Sequence, residues 1–78
     1  MDNAKLRSMK ISARNVLKGK VMTVKSGPIS SVVTLEIAPG VQITASITTE
    51  SARELKLKEG QGACAIIKAS SVMIGVDE

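Results

Sequence analysis

Residues 12–21 read SARNVLKGKV, a polar start followed by an alternating run, and this stretch decides the fold. From Val16 onward apolar and polar residues alternate, which is the period of a half-buried strand. With the β-branched residues around it, the run predicts one long strand from Ile11 to Lys25. Gly19 interrupts this strand, and a bulge or a close backbone approach is expected there.

Two shorter strands follow with the same alternation. Residues 29–37 place Val33, Leu35 and Ile37 on one face. Residues 41–48 repeat the pattern, with Val41, Ile43, Ala45 and Ile47 as the apolar positions. Pro39-Gly40 lies between the two runs and predicts a turn, so the two strands form a hairpin.

A short helix is predicted after the hairpin. Thr48 or Thr49 fits an N-cap, and Ser51 with Glu54 fits the spacing of a capping box. The helix is expected to cover little more than two turns and to end in residues 56–60.

The remaining segments complete an all-β fold. Residues 62–68 predict a strand, and residues 69–71 predict a tight turn into a last strand over 72–76. Several short strands around one helix are typical of a small OB-like β-barrel. Residues 1–9 show no sustained period and are predicted to be a loose N-terminal arm, which leaves residues 10–78 as the domain.

Composition indicates that this domain needs support from other chains. The whole chain of 78 residues includes no Phe, Tyr or Trp, so Val, Ile, Leu, Ala and Met must build the core. The lone Cys64 cannot form an internal disulfide and is predicted to be a small buried hydrophobe. With no His, the usual metal-ligand sets are missing as well. Self-association is the remaining source of stability.

The net charge of +4 favours an anionic partner, whether nucleic acid, anionic lipid or a small oxyanion. Because aromatic side chains are absent, the chain has no platform on which to stack single-stranded bases. No apolar run or signal peptide indicates a membrane or secreted protein, so a cytoplasmic location without membrane or nucleic-acid partners is expected. No catalytic constellation is visible either, which predicts a binding protein without a cofactor rather than an enzyme.

Three segments together resemble the molybdate-binding Mop domain, the TOBE-type unit of the small molbindins. Residues 12–21 resemble its opening strand. The segments ITTESAREL at 47–55 and LKEG at 57–60 resemble its single helix and turn, and IIKASSVMI at 66–74 resembles its C-terminal strand and lysine loop. The resemblance implies an OB-like barrel in a homo-oligomer, a hexamer built as a trimer of dimers, that stores or buffers molybdate and tungstate.

The resemblance also implies an oxyanion site between two subunits. Molybdate presents four acceptor oxygens and no proton near neutral pH, so a selective site consists of donors only. Arg14 and Lys68 would supply charge, while hydroxyl and backbone N–H groups would orient the ligand. The implied residues are Ser12, Ala13, Arg14, Asn15, Thr48, Ser51, Ala52, Lys68, Ala69 and Ser70.

Taken singly, these residues also fit ordinary structural roles. Ser12 and Asn15 suit turns or strand edges, Thr48 and Ser51 suit helix caps, and the two cations suit a solvated surface. Two other functions stay open on the sequence: a molybdate-sensing module of a larger regulator or transporter ATPase, and a nucleic-acid-binding OB module. The lack of a helix-turn-helix or Walker loop favours storage over sensing.

Overall fold

The computed structural model describes residues 12–77, which form one antiparallel sheet with the strand order β3-β2-β1-β4 and a single short helix. The predicted arm at residues 1–9 and the domain start at Lys10 lie outside the described residues. Within the described part, no helix is long and apolar enough to cross a membrane. The elements are β1 (Asn15–Ser26), β2 (Ser30–Ala38), β3 (Val41–Thr48), α1 (Thr49–Glu54), β4 (Gly62–Ile67) and a 3₁₀ turn (Ala69–Ser71).

The long strand β1 divides its length between two partners. Residues 15–20 pair with β4, and residues 20–26 pair with β2. Where the strand changes partner, the register with β2 shifts between Val21 and Thr23. An irregularity of this kind bends a strand and increases its twist, which lets one strand serve two neighbours. Strand pairing begins at Asn15, so the prediction of a strand from Ile11 is wrong for residues 12–14.

Gly19 allows the main chain of β2 to approach β1 closely. A Cβ atom at this position would lie 2.7 Å from the carbonyl oxygen of Glu36 and 3.1 Å from Cγ2 of Ile37. The predicted close approach is thus confirmed. The strand nevertheless runs through Gly19 without interruption, and the register shift comes later, after Val21.

Strands β2 and β3 form the predicted hairpin. Pro39-Gly40 makes the turn, and Gly40 has the positive φ of 76° that favours glycine. Val33 and Leu35 of β2 are buried and pack with Val21 of β1, which is the centre of the hydrophobic core. Partly buried residues around it are Val24, Ile47, Leu57, Ala63 and Ala65. This core is small even for a short chain.

Helix α1 begins after Thr48, whose side chain accepts a hydrogen bond from the backbone N–H of Ser51. This confirms Thr48 as the N-cap, and the alternative start at a Ser51–Glu54 capping box is wrong. With six residues, the helix is shorter than the two turns predicted. The chain leaves it through Lys56, a non-glycine residue with φ of 54°.

The predicted last strand is wrong. Residues 72–76, called here the apolar tail, follow the 3₁₀ turn without any strand pairing in the described structure. Met73 is 92% exposed and Ile74 is 88% exposed. The β-branched residues Val72, Ile74 and Val76 stand at alternate positions and favour an extended conformation. A strand also needs a neighbouring strand to satisfy its backbone groups. No strand among residues 12–77 supplies that neighbour.

The close approach at Gly19 generates a stability prediction. Gly19→Ala should lower the free energy of unfolding by about 1–3 kcal/mol, because the new methyl group must displace a backbone carbonyl. Denaturant unfolding at one fixed protein concentration measures this loss. Gly62→Ala is the matched control, since nothing lies within 4 Å of its Cβ position. Equal stability of the two variants would contradict the assigned contact.

Candidate functional site

The first group of predicted site residues lies where β1 begins and β4 ends. Asn15 pairs with Ile67 in the ladder between these strands, and its side-chain Nδ2 donates to the carbonyl oxygen of Ile67 at 3.2 Å. Antiparallel pairing therefore places the residues just before Asn15 beside those just after Ile67. This basic cluster consists of Ser12, Ala13, Arg14, Asn15, Lys68, Ala69 and Ser70.

Several donors of the basic cluster are not used by any acceptor among the described residues. Arg14 and Lys68 are both exposed, and neither forms an ion pair with a carboxylate of residues 12–77. The 3₁₀ turn uses the carbonyl of Lys68 to accept from the N–H of Ser71 at 2.8 Å. Across the same described range, the N–H groups of Ala69 and Ser70 have no acceptor. Two cations and two adjacent N–H groups at one strand end can bind an anion.

The second group lies at the start of α1. The backbone N–H of Ser51 donates to Thr48 Oγ1 at 3.0 Å, and the Thr48 hydroxyl donates to Ser51 Oγ at 2.8 Å. The Ser51 N–H and the Thr48 hydroxyl are therefore used within the cap, although the family resemblance implies ligand contacts for both residues. The proton of the Ser51 hydroxyl has no acceptor among residues 12–77. Thr48, Ser51 and Ala52 are called here the hydroxyl cluster.

Other residues near α1 limit what this cluster can do. Ala52 is 7% exposed, and its methyl group packs inward. Its carbonyl accepts from the N–H of Leu57 at 3.1 Å, so Ala52 fixes the end of the helix. Glu50 is the acidic residue of the first turn, but consecutive helical residues are separated by about 100° around the axis, which directs it away from Ser51.

One chain does not bring the two clusters together. Asn15 begins β1, whereas Ser26 ends it and pairs with Ser31. The hydroxyl cluster lies at this far end, because Thr48 pairs with Ser30. At about 3.3 Å per residue, the two ends of β1 are on the order of 30 Å apart along the strand. No hydrogen bond among the described residues joins the two clusters.

Sequence reasoning missed two hydroxyl-bearing residues beside the hydroxyl cluster. Ser31 and Thr49 are buried and hydrogen-bonded to each other at 2.9 Å. The sequence pattern could have identified Ser31 as buried, since it occupies an inward position of β2 on the same face as Val33 and Leu35. Residues 12–77 contain no group of three or more His, Cys, Asp or Glu side chains that could hold a metal ion.

Comparison with known proteins identifies the chain's relatives. The model of the TOBE domain matches residues 11–74. A probable molybdenum-pterin-binding protein of Haemophilus influenzae is 45% identical over 69 residues, covering 88% of this chain and all of the relative. Molybdenum-pterin-binding protein 1 of Clostridium pasteurianum is 53% identical over 66 residues, covering 85% and 97%. The molybdenum transport protein ModE of Herbaspirillum seropedicae is 43% identical over 90% of this chain, which spans only 26% of ModE.

Solved structures agree with these relatives. MopII from Clostridium pasteurianum superposes with a TM-score of 0.80 at 48% identity, covering 86% of this chain and all of MopII. The cytoplasmic molybdate-binding protein ModG, with molybdate bound, gives a TM-score of 0.85 at 42% identity, covering 97% of this chain and 52% of ModG. The resemblance to the Mop domain and the prediction of a small OB-like fold are confirmed.

Proposed function

Since the chain belongs to the TOBE-domain family, we propose that it binds molybdate and tungstate at sites shared between subunits of a homo-oligomer. Storage or buffering of these oxyanions in the cytoplasm is the role we assign to it. The proposal describes a binding protein without catalytic activity, whose ligand is the intact oxyanion.

The observation that carries this proposal is the separation of two donor sets along β1. The basic cluster provides cations and free N–H groups, and the hydroxyl cluster provides the Ser51 hydroxyl. Each set alone surrounds a tetrahedral anion incompletely. Because β1 holds them at its opposite ends, the basic cluster of one chain meets the hydroxyl cluster of another in the proposed site.

The chemistry of the two clusters suits a fully deprotonated dianion. Arg14 and Lys68 offset two negative charges, and neutral donors fix the orientation of the oxygens. Phosphate keeps a proton in part of its population near pH 7 and needs an acceptor for it. A shell made only of donors therefore favours molybdate and tungstate over phosphate. The sequence charge of +4 adds long-range attraction for anions.

Self-association is supported by what a single chain leaves uncovered. Among residues 12–77, the core is centred on Val21, Val33 and Leu35. The apolar tail extends from the fold with its side chains in solvent, which is unfavourable by roughly 25 cal/mol for each Å² of apolar surface. We assign the tail to a contact with a second copy of the chain. A hexamer arranged as a trimer of dimers is the proposed assembly.

A second candidate role uses the same site. The similarity to ModE favours a molybdate-sensing module within a larger regulator, and the matched region there is one part of a longer protein. The Haemophilus influenzae relative, a probable molybdenum-pterin-binding protein, is covered over its whole length. Both roles require oxyanion binding, so the same binding experiment tests them first.

Binding should depend on the two cations of the basic cluster. Arg14→Ala or Lys68→Ala removes a charge-assisted donor and should weaken molybdate binding by about 1.5–3 kcal/mol, roughly ten- to a hundredfold. Titration calorimetry measures the affinities, and sedimentation checks that the assembly is retained.

Lys58→Ala is the control for this pair, since Lys58 is an exposed lysine in the loop between α1 and β4. Its effect should stay within about twofold and disappear as salt is raised. If Lys58→Ala weakened binding as much as Lys68→Ala, a diffuse positive field would replace the specific site.

Assembly should depend on the apolar tail. Ile74→Asp would place a charge in the proposed contact between subunits and should shift the protein towards smaller species, measured by sedimentation velocity at micromolar concentration. Val41→Asp is the control, because Val41 is also an exposed β-branched residue but lies at the start of β3, outside the tail and outside both clusters. A wild-type protein that sediments as a folded monomer would contradict the proposed assembly.

A further inference from the structure

A chain of buried hydroxyl groups lies beneath the start of α1. Ser31 is completely buried and Thr49 is 8% exposed. Ser31 Oγ lies 2.9 Å from Thr49 Oγ1 and 3.1 Å from Ser26 Oγ. Thr49 Oγ1 in turn donates to the carbonyl oxygen of Gly27 at 2.7 Å. The chain thus links β1, the β1–β2 turn, β2 and the helix.

The direction of the hydrogen bond from Thr49 follows from counting protons. A carbonyl oxygen can only accept, so the single hydroxyl proton of Thr49 goes to Gly27. The Ser31 hydroxyl also has a single proton, for which Ser26 Oγ and Thr49 Oγ1 are the two acceptors within reach. Thr49 has no hydroxyl proton left for a ligand, and its burial keeps it out of the oxyanion's reach. Its influence on a ligand must act through its neighbours.

Those neighbours are the residues of the hydroxyl cluster. Thr49 also donates its backbone N–H to the carbonyl oxygen of Ile29 at 2.8 Å, so main chain and side chain are both tied to the β1–β2 turn. Thr48 precedes Thr49 directly, and the cap it forms holds Ser51 through two hydrogen bonds. Fixing Thr49 therefore fixes the direction of the Ser51 hydroxyl.

We propose that Ser31 and Thr49 are positioning residues for oxyanion binding, which orient the Ser51 hydroxyl by locking the start of α1 onto the β1–β2 turn. This inference rests on the proposed function. A six-residue helix holds its own geometry weakly, because nucleating a helix is costly and so few residues add little propagation. An external lock is needed if its first turn is to present a donor at a constant position.

A contribution to stability alone does not explain why hydroxyl-bearing residues occupy positions 31 and 49. A buried hydrogen bond adds little net stability, and replacing both partners by apolar groups of the same shape can be neutral. With a core this small, apolar residues at both positions would bury additional surface. What the hydroxyls add is one defined geometry, since a satisfied buried network specifies a unique arrangement.

The experiment is a set of molybdate titrations on the assembled protein. Thr49→Val removes the hydroxyl but keeps the backbone N–H and the shape, and it should weaken molybdate binding about fivefold, comparable to Ser51→Ala. Thr49→Ser should restore the affinity. Thr44→Val is the matched control, because the Thr44 side chain is exposed on β3 and makes no hydrogen bond with residues 12–77, and this substitution should leave molybdate binding unchanged.

Double-mutant cycles separate positioning from a general loss of stability. In a Ser51→Ala background, Thr49→Val should weaken molybdate binding further by less than about twofold, because its effect passes through Ser51. In a Lys68→Ala background it should keep its full effect, since Lys68 belongs to the other cluster. Equal effects in both backgrounds, or unchanged binding by a folded Thr49→Val protein, would overturn the inference.

Two further results of these titrations also bear on the inference. If Thr49→Val does not assemble, Ser31→Ala takes its place in the same cycles, with the same expected coupling to Ser51. If the wild-type protein does not bind molybdate at all, the proposed function is wrong and this inference is overturned with it. Wild-type binding combined with the absence of coupling to Ser51 overturns the inference alone.

Discussion

The division of β1 between two partner strands is the constraint on which the rest of this structure depends. Because residues 15–20 pair with β4 and residues 20–26 pair with β2, the strand must continue past one neighbour to reach the other. Gly19 permits the close approach that this requires, with only 2.7 Å between its Cβ position and a carbonyl of β2. The resulting length keeps the basic cluster and the hydroxyl cluster apart. In our proposal, a binding site that uses both clusters therefore forms between two chains.

The small size of the hydrophobic core explains why polar side chains are buried beside α1. The described core centres on three aliphatic residues, so packing alone defines the position of a six-residue helix poorly. Hydrogen bonds from Thr49 to Gly27 and Ile29 supply directional restraints that aliphatic contacts lack. The apolar tail is the complementary feature, since it exposes surface that a second copy can cover. Folding, assembly and ligand binding are therefore coupled in our account.

Local patterns predicted much of the fold. Alternation placed β2 and β3 within a residue of their observed bounds, and Pro39-Gly40 and Thr48 correctly marked the turn and the helix cap. The tail was mispredicted because its β-branched pattern is local, whereas strand pairing depends on a neighbouring strand. No strand among the described residues pairs with the tail. The identity of the site residues came from family resemblance. Their division into two clusters, and the Ser31–Thr49 contact across 18 residues, depend on long-range pairing that no local pattern encodes.

The central claim is that each oxyanion site combines the basic cluster of one chain with the hydroxyl cluster of another. Mixed oligomers of two weak-binding variants test it most directly: Arg14→Ala damages only the basic cluster, and Ser51→Asp places a carboxylate in the hydroxyl cluster. Native mass spectrometry verifies mixing, and molybdate titration counts tight sites. Random equal mixing should restore wild-type affinity at about a quarter of the sites, where two intact clusters meet. Verified mixed oligomers without any tight site would contradict the shared site.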